Sequence, residues 1–285
     1  MGNTSAQEQA AAALAKLASD SADNRTSIVD KGGINPLLAL LEGSSLKAKE
    51  ASVFAISELA YKSHHIQVAI SRAGGIPLLA NVLSSSGANP KEMQAAQLLC
   101  SLAANAVSQL TENNNENQVA FAEAGAIQPL VAMLGSSSPE YPLVANAAGA
   151  LAALSHDNAE NQAAVARTGA IAPLCALVRE GADSDVKEQS ASALWALSHE
   201  NNPNKATVAK LGGIEPLVTL LIAGESERSF EMAVGALMSL CSKHADNREI
   251  IAKLVFDDGM VGVELVSSHE HCIAGFAFAS AVQEH

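Results

Sequence analysis

The stretch Val186–Leu221, VKEQSASALWALSHENNPNKATVAKLGGIEPLVTLL, holds one complete folding unit. Val186, Ser190, Ala193, Leu194 and Leu197 fall on one stripe at helical spacing, which predicts an amphipathic helix over Val186–His199. Asp185 followed three residues later by Glu188 reads as a capping-box start for that helix. Asn201, Asn202 and Pro203 break it. A short second helix is predicted from about Asn204 to Leu211, stopped at Gly212-Gly213 because glycine takes the left-handed cap without strain. A third begins near Ile214, with Pro216 in its first turn, where a missing N–H costs nothing.

The same pattern recurs outward from this unit. Gly-Gly-Ile or Gly-Ala-Ile appears at Gly32-Gly33-Ile34, Gly74-Gly75-Ile76, Gly125-Ala126-Ile127, Gly169-Ala170-Ile171 and Gly212-Gly213-Ile214, with isoleucine intervals of 42, 51, 44 and 43 residues. An apolar pair follows, as in Pro36-Leu37-Leu38, Pro129-Leu130-Val131 and Pro216-Leu217-Val218. A helical repeat of this period without a strand signal resembles the armadillo family over nearly the whole chain. The resemblance implies an all-α, right-handed α-solenoid, or superhelix, of three-helix armadillo repeats. Each repeat then buries its apolar face against its neighbours, so the array forms one elongated body.

In chain order, Ser5–Leu17 reads as a lone long helix with a Ser5/Glu8 capping box, so residues 1–20 complete or cap the array. About six repeats are expected over residues 21–285. The polar stretch 106–116, AVSQLTENNNE, reads as an inserted loop that accounts for the 51-residue interval. A worn sixth repeat starts at Asp246-Asn247-Arg248 and carries Gly259-Met260-Val261 in place of the glycine-isoleucine phrase.

Composition narrows the function. A net charge of −13 repels phosphate backbones, and an aromatic content of 3% supplies no stacking platform, so no nucleic-acid partner is expected. The four cysteines, Cys100, Cys175, Cys241 and Cys272, stand singly, which reads as reduced, buried thiols of a cytoplasmic or nuclear protein. No apolar run reaches membrane-spanning length. Met1-Gly2 resembles the start of a myristoylation signal, but Ala6 stands where serine or threonine is required, so no lipid is expected. Neither a phosphate-binding P-loop nor GxGxxG, HExxH or GxSxG occurs, so the chain reads as non-catalytic and without a cofactor. His269-Glu270-His271-Cys272 looks metal-like, yet helical neighbours one and two apart do not face one another, so no metal is expected. His64-His65 reads as a solvated loop pair.

In armadillo proteins the last helices of successive repeats line a concave groove that holds an extended peptide. The resemblance therefore assigns groove positions here. Trp195 aligns with Ala15, Ser57, Cys100, Ala152, Met238 and Phe278. His199, one turn on, aligns with Ser19, Tyr61, Ala104, His156 and Ser242, and Ser192 lies one turn before. Glu188 aligns with Glu8, Glu50, Met93, Ala145, Glu231 and His271, an acidic column that suits a basic ligand. Capping is the competing reason for those acids, because carboxylates favour helix N-termini. The expected partner-binding residues are thus Glu50, Ser57, Tyr61, Cys100, Ala152, His156, Glu188, Ser192, Trp195, His199, Glu231, Met238 and Ser242.

The functional expectation is an interaction scaffold or adaptor that binds an extended or helical protein segment. Two alternatives remain: the substrate-recognition module of a larger ubiquitin ligase, and a nuclear-transport adaptor of the importin-alpha type. The second is disfavoured because SALWALS-His199 resembles the adaptors' tryptophan–asparagine pair only once and lacks the asparagine.

Overall fold

Three helices form from each recurrence of the phrase. The structure is a computed structural model, and it describes residues 4–43, 45–136, 142–181, 183–224 and 226–254. Seventeen α-helices and no strand occur among the described residues. The chain divides into two compact units, Met1–Leu154 and Ser155–His285. In the first, α1 (Thr4–Asp20) precedes the triplet α2 (Ala22–Asp30), α3 (Ile34–Leu41) and α4 (Leu46–Ala60). Next come α5 (His64–Arg72), α6 (Gly75–Leu83) and α7 (Pro90–Thr111), then α8 (Asn115–Glu123), α9 (Ile127–Met133) and α10 (Leu143–Ser155). The second unit contains α11 (Ala159–Arg167), α12 (Ile171–Glu180) and α13 (Ser184–Ser198), then α14 (Asn202–Lys210), α15 (Ile214–Ala223) and α16 (Glu227–Cys241). A further repeat opens with α17 (Ala245–Ala252).

The recurring glycine sets the corner between the two short helices. Gly74 and Gly212 stand at φ 84° and 69°, which only glycine adopts without strain. The N–H of the following Gly213 closes α14 by donating to the Val208 carbonyl at 2.9 Å, and a Cβ there would lie 2.6 Å from Cys175 Sγ. The short helices then diverge sharply, by 85° between α5 and α6 and 81° between α14 and α15. In the first unit α4 packs on both α1 and α7, and in the second α13 packs on α16. Leu59, Leu110, Leu154, Leu197 and Leu240 occupy the equivalent site on α4, α7, α10, α13 and α16 and are fully enclosed. Among the described residues no single helix is long and apolar enough to cross a membrane.

Several local expectations change. Helix α13 starts at Ser184, not Val186, because Asp183 is its N-cap and accepts from the Val186 N–H at 2.8 Å. The Asp185/Glu188 capping box is therefore not the one used. Ser5 likewise lies inside α1, not at its cap. Helix α14 begins at Asn202 because Asn201 caps it. His64 and His65 form the first turn of α5, with Ser63 Oγ 3.2 Å from His65 Nδ1. The last helix, Phe278 and the His269–Cys272 cluster lie outside the described residues.

The 106–116 stretch is not an inserted loop. Residues 106–111 continue α7, Glu112 is its C-cap, Asn113 takes a left-handed φ of 53°, and Asn114 caps α8 by accepting from the Asn117 N–H. Asparagine tolerates the left-handed region and is a strong N-cap, which accounts for the run of three. The extra length sits at the other end. Helix α7 has 22 residues where α4, α13 and α16 each have 15, and the additional turns precede Gln97.

Candidate interaction face

A left-handed residue after each long helix fixes the register of the long-helix faces. Lys62, Asn113, Asp157, Glu200 and Lys243 all have φ between 48° and 55°. Counting back equally from each, Trp195 corresponds to Ser57, Ser108, Ala152 and Met238. Cys100 therefore does not belong to this row. It is buried, its Sγ donates toward the Val82 and Leu83 carbonyls, and burial pushes its thiol up to about 11. The same correction replaces Ala104 with Glu112, and Met93 with Ser101, since the extra turns lie N-terminal to the face.

An amide ladder, buried from Asn117 onward, holds that register. Asn24, Asn117, Asn204 and Asn247 each donate from Nδ2 to the carbonyl seven residues earlier: Leu17, Leu110, Leu197 and Leu240, at 2.9, 2.8, 2.8 and 3.2 Å. The next residue crosses to the C-terminal carbonyls of the following long helix. Gln67 reaches Gln109 at 2.8 Å, Gln118 reaches Ala153 at 2.9 Å, and Gln162 reaches Ala196 at 2.9 Å. Lys205 replaces glutamine and donates from Nζ to the Ser242 carbonyl at 2.6 Å. Burial, with Lys243 nearby, holds that amine below the usual lysine range. These carbonyls belong to helix C-termini, so each donor satisfies a group that the helix itself cannot. The signal was present as Asn117-Gln118, Asn161-Gln162, Asn204-Lys205 and Asn247-Arg248, but helical periodicity does not report it.

In the first unit the face is open and aromatic. Phe54 on α4 and Tyr61 at its C-cap, seven residues on, are 44% and 41% exposed, and Glu50 is half-buried one turn before Phe54. Arg25 and Lys62 lie over the Tyr61 ring at 5.7 and 5.2 Å from its centroid, which marks that ring as a seat for cations. Ser57 is buried and donates to Asn105 Oδ1 on α7 at 3.2 Å. Burial raises the Glu50 pKa; Lys47 opposes the shift and the Glu8 carboxylate adds to it. Phe54 and Asn105 were missing from the expected set, and register alone could not rank them.

In the second unit two members of the α13 face, Glu188 and Trp195, are covered by the following repeat. Trp195 is half-buried, and its indole lies on Gly235 of α16, where a Cβ would meet Cε3 at 2.6 Å. It packs forward onto the next long helix. Glu188 is 5% exposed and is no member of an open acidic column. Its Oε1 accepts from Ser184 Oγ at 2.9 Å and from Ser226 Oγ, the N-cap of α16, at 2.5 Å, while Arg228 Nε lies 3.7 Å from Oε2. Glu8 does the same in the first unit, accepting from Ser45 Oγ, the N-cap of α4, at 2.8 Å. The glutamates thus tie one long helix to the start of the next, a reach across repeats that a capping box within one helix does not describe. Ser192 is half-buried, whereas Glu231, Met238, Ser242, His156 and His199 are exposed. Both histidines approach one carboxylate: His156 Nε2 lies 3.6 Å and His199 Nε2 3.7 Å from Asp157. Among the described residues no three His, Cys, Asp or Glu side chains are arranged to hold a metal.

Comparison with known proteins agrees with this architecture. The family model described as Armadillo/beta-catenin-like repeat matches residues 114–156 and 158–199. No curated protein sequence matches the chain. Among solved structures, an engineered protein is 27% identical over 85% of this chain and 93% of its own, with a TM-score of 0.75. A designed armadillo repeat protein is 21% identical over 88% of this chain and 100% of its own, with a TM-score of 0.74. Another, solved in complex with the peptide (KR)4, is 23% identical over 81% of this chain and 92% of its own, with a TM-score of 0.69. With three-helix repeats, left-handed glycine corners and stacked long helices in each unit, the chain has the fold of solved armadillo-repeat structures, and residues 114–156 and 158–199 match the family's own repeat model.

Proposed function

We propose that this protein is a non-catalytic interaction scaffold that binds an extended protein segment of basic character along its long-helix faces. The observation that carries the reading is the open row on α4, where Phe54 and Tyr61 stand exposed beside Glu50. An aromatic face with a carboxylate one turn away suits an aliphatic stem ending in a cation. The half-buried Asn105 amide on α7 adds a polar group of the kind that can meet a peptide backbone. That an armadillo design was solved in complex with the peptide (KR)4 illustrates what this fold accommodates. The transport-adaptor alternative is weaker, since the single tryptophan is engaged on Gly235. Buried thiols at Cys100, Cys175 and Cys241 support a cytoplasmic or nuclear setting.

Fluorescence anisotropy with a labelled lysine–arginine octapeptide tests the proposal. Phe54→Ala with Tyr61→Ala should weaken binding at least tenfold, on the order of 1.4 kcal/mol or more. Reversing Glu50 and Glu231 to lysine should weaken it far more than reversing Glu123 and Glu160 on short helices. Equal losses from the two pairs would mean that the octapeptide senses net charge alone, and the assigned face would be wrong.

A further inference from the structure

Leu17 departs from the rest of its column. Asn24 donates to the Leu17 carbonyl as Asn117, Asn204 and Asn247 donate to those of Leu110, Leu197 and Leu240, so Leu17 holds the enclosed-leucine position on α1. The equivalent leucines on α4, α7, α10, α13 and α16 are at most 1% exposed, whereas Leu17 is 47% exposed. The positions four and seven residues before it repeat the contrast. Ala13 is exposed where Ala55 and Ala193 are enclosed, and Ala10 is exposed where Ser52 and Ser190 are enclosed.

The same unit shows what covers that side elsewhere. The second short helix of a repeat packs on its long helix, α3 on α4 and α6 on α7, and Ser52 Oγ donates to the Leu37 carbonyl of α3. Helices α3 and α6 have eight and nine residues and contain no Asp, Glu, Lys or Arg. Each such helix also meets its predecessor, as α6 meets α3. On α3 itself, Leu40 is half-buried where Val82, its counterpart on α6, is 5% exposed. We infer that this side of α1 is a docking surface for a short apolar helix of a protein partner, which lies on α1 as α3 lies on α4. The occupant has leucine, isoleucine or valine and no charge on its inner side. A charged side chain there would meet the methyl groups of Ala10, Ala13 and Leu17 and lose its hydration without a counter-ion among them. A second copy of α1 is the poorer occupant, because it offers alanines where α3 offers leucines, and two chains at −13 repel one another. The surface is separate from the α4 row, and the inference stands apart from the basic-segment reading.

The probe is a labelled peptide of the α3 sequence, INPLLALLEG, with a lactam staple joining positions 35 and 39, both exposed in α3. The staple supplies the helix nucleus that so short a peptide lacks. In fluorescence anisotropy it should bind the full chain saturably, and a control peptide with Leu37→Gln and Leu41→Gln should bind at least tenfold more weakly. Leu17→Glu in the protein should weaken binding at least tenfold while the circular dichroism spectrum is retained; should that variant misfold, Ala13→Glu must give the same loss. Ile222→Glu, at a position 37% exposed in the second unit, should leave binding unchanged. No saturation at millimolar peptide, equal binding by the Leu17→Glu chain, or equal binding of the glutamine peptide would each overturn the inference. A dimer in sedimentation equilibrium that Leu17→Glu dissociates, with no peptide bound, would give the surface to a second copy and overturn it as well.

Discussion

The two units use the same helices to opposite ends. On α4 the row runs half-buried Glu50, exposed Phe54, buried Ser57 and exposed Tyr61. On α13 the corresponding row runs buried Glu188, half-buried Ser192, half-buried Trp195 and exposed His199, and the next repeat takes up two of them: Ser226 and Arg228 hold Glu188, and Gly235 receives the indole. The difference traces to single positions. Where α16 has Gly235, α7 has Asn105, and where α13 has Trp195, α4 has Ser57, which donates to Asn105 Oδ1 at 3.2 Å. The same pair of positions thus carries an indole over a glycine in one unit and a serine bonded to an asparagine in the other.

The largest expected effects are those on which the units should agree. Leu110→Ala in the first and Leu197→Ala in the second remove fully enclosed side chains and should each cost about 2–5 kcal/mol in denaturant unfolding. A loss typical of surface positions at either site would break the shared repeat register.

Glutamate truncation should separate the units. Glu188→Ala strips two hydroxyl donors of their acceptor at a buried position and should cost roughly 1–3 kcal/mol, while Glu8→Ala, with one such bond at a half-buried one, should cost less than half as much. Equal costs would show that burial of the second unit's clamp contributes little.

Gly235→Ala sharpens the contrast, because its sign should depend on Trp195. With the indole in place, the added methyl should destabilise by about 1 kcal/mol and shift tryptophan emission to the red. In a Trp195→Ala background the same change should become stabilising by up to about 1 kcal/mol, since alanine outranks glycine within a helix. An identical effect in both backgrounds would separate the two residues.

At the small end, Phe54→Ala should change unfolding by no more than about 0.5 kcal/mol, as an exposed position would. Glu50→Gln should be mildly stabilising at neutral pH. The folded protein raises the Glu50 pKa, so it binds that proton more tightly than the unfolded chain, and stability falls as pH rises through the raised value. The advantage of glutamine should therefore vanish in acid, below the ordinary carboxylate range. A glutamine variant whose advantage persists in acid would assign it to something other than charge.

Sequence periodicity carried the repeat because each unit obeys local rules. Glycine at the left-handed corner, proline in a first turn and leucine at helical spacing act within a few residues, so Gly212, Pro216 and Leu197 could be read without a neighbour. The misplaced insertion shows where local reading stopped. The asparagines at 113–115 resemble a loop in composition, yet they form the cap and left-handed turn that every repeat needs, and the true insertion was hidden because it is itself helical. Counting across it displaced Cys100 into a row that belongs to Ser108.

What the amino-acid sequence by itself determined is the fold class, the number of helices per repeat and the identity of the enclosed leucines, all consequences of short-range conformational preference and apolar spacing. What only the tertiary structure decided is the fate of each polar or aromatic side chain on the long helices. Glu188 is buried because Ser226 and Arg228 from the next repeat meet it, and Trp195 is half-covered because Gly235 leaves room. Those partners lie about 40 positions away along the chain, a separation fixed by repeat stacking and not by any rule acting within one helix.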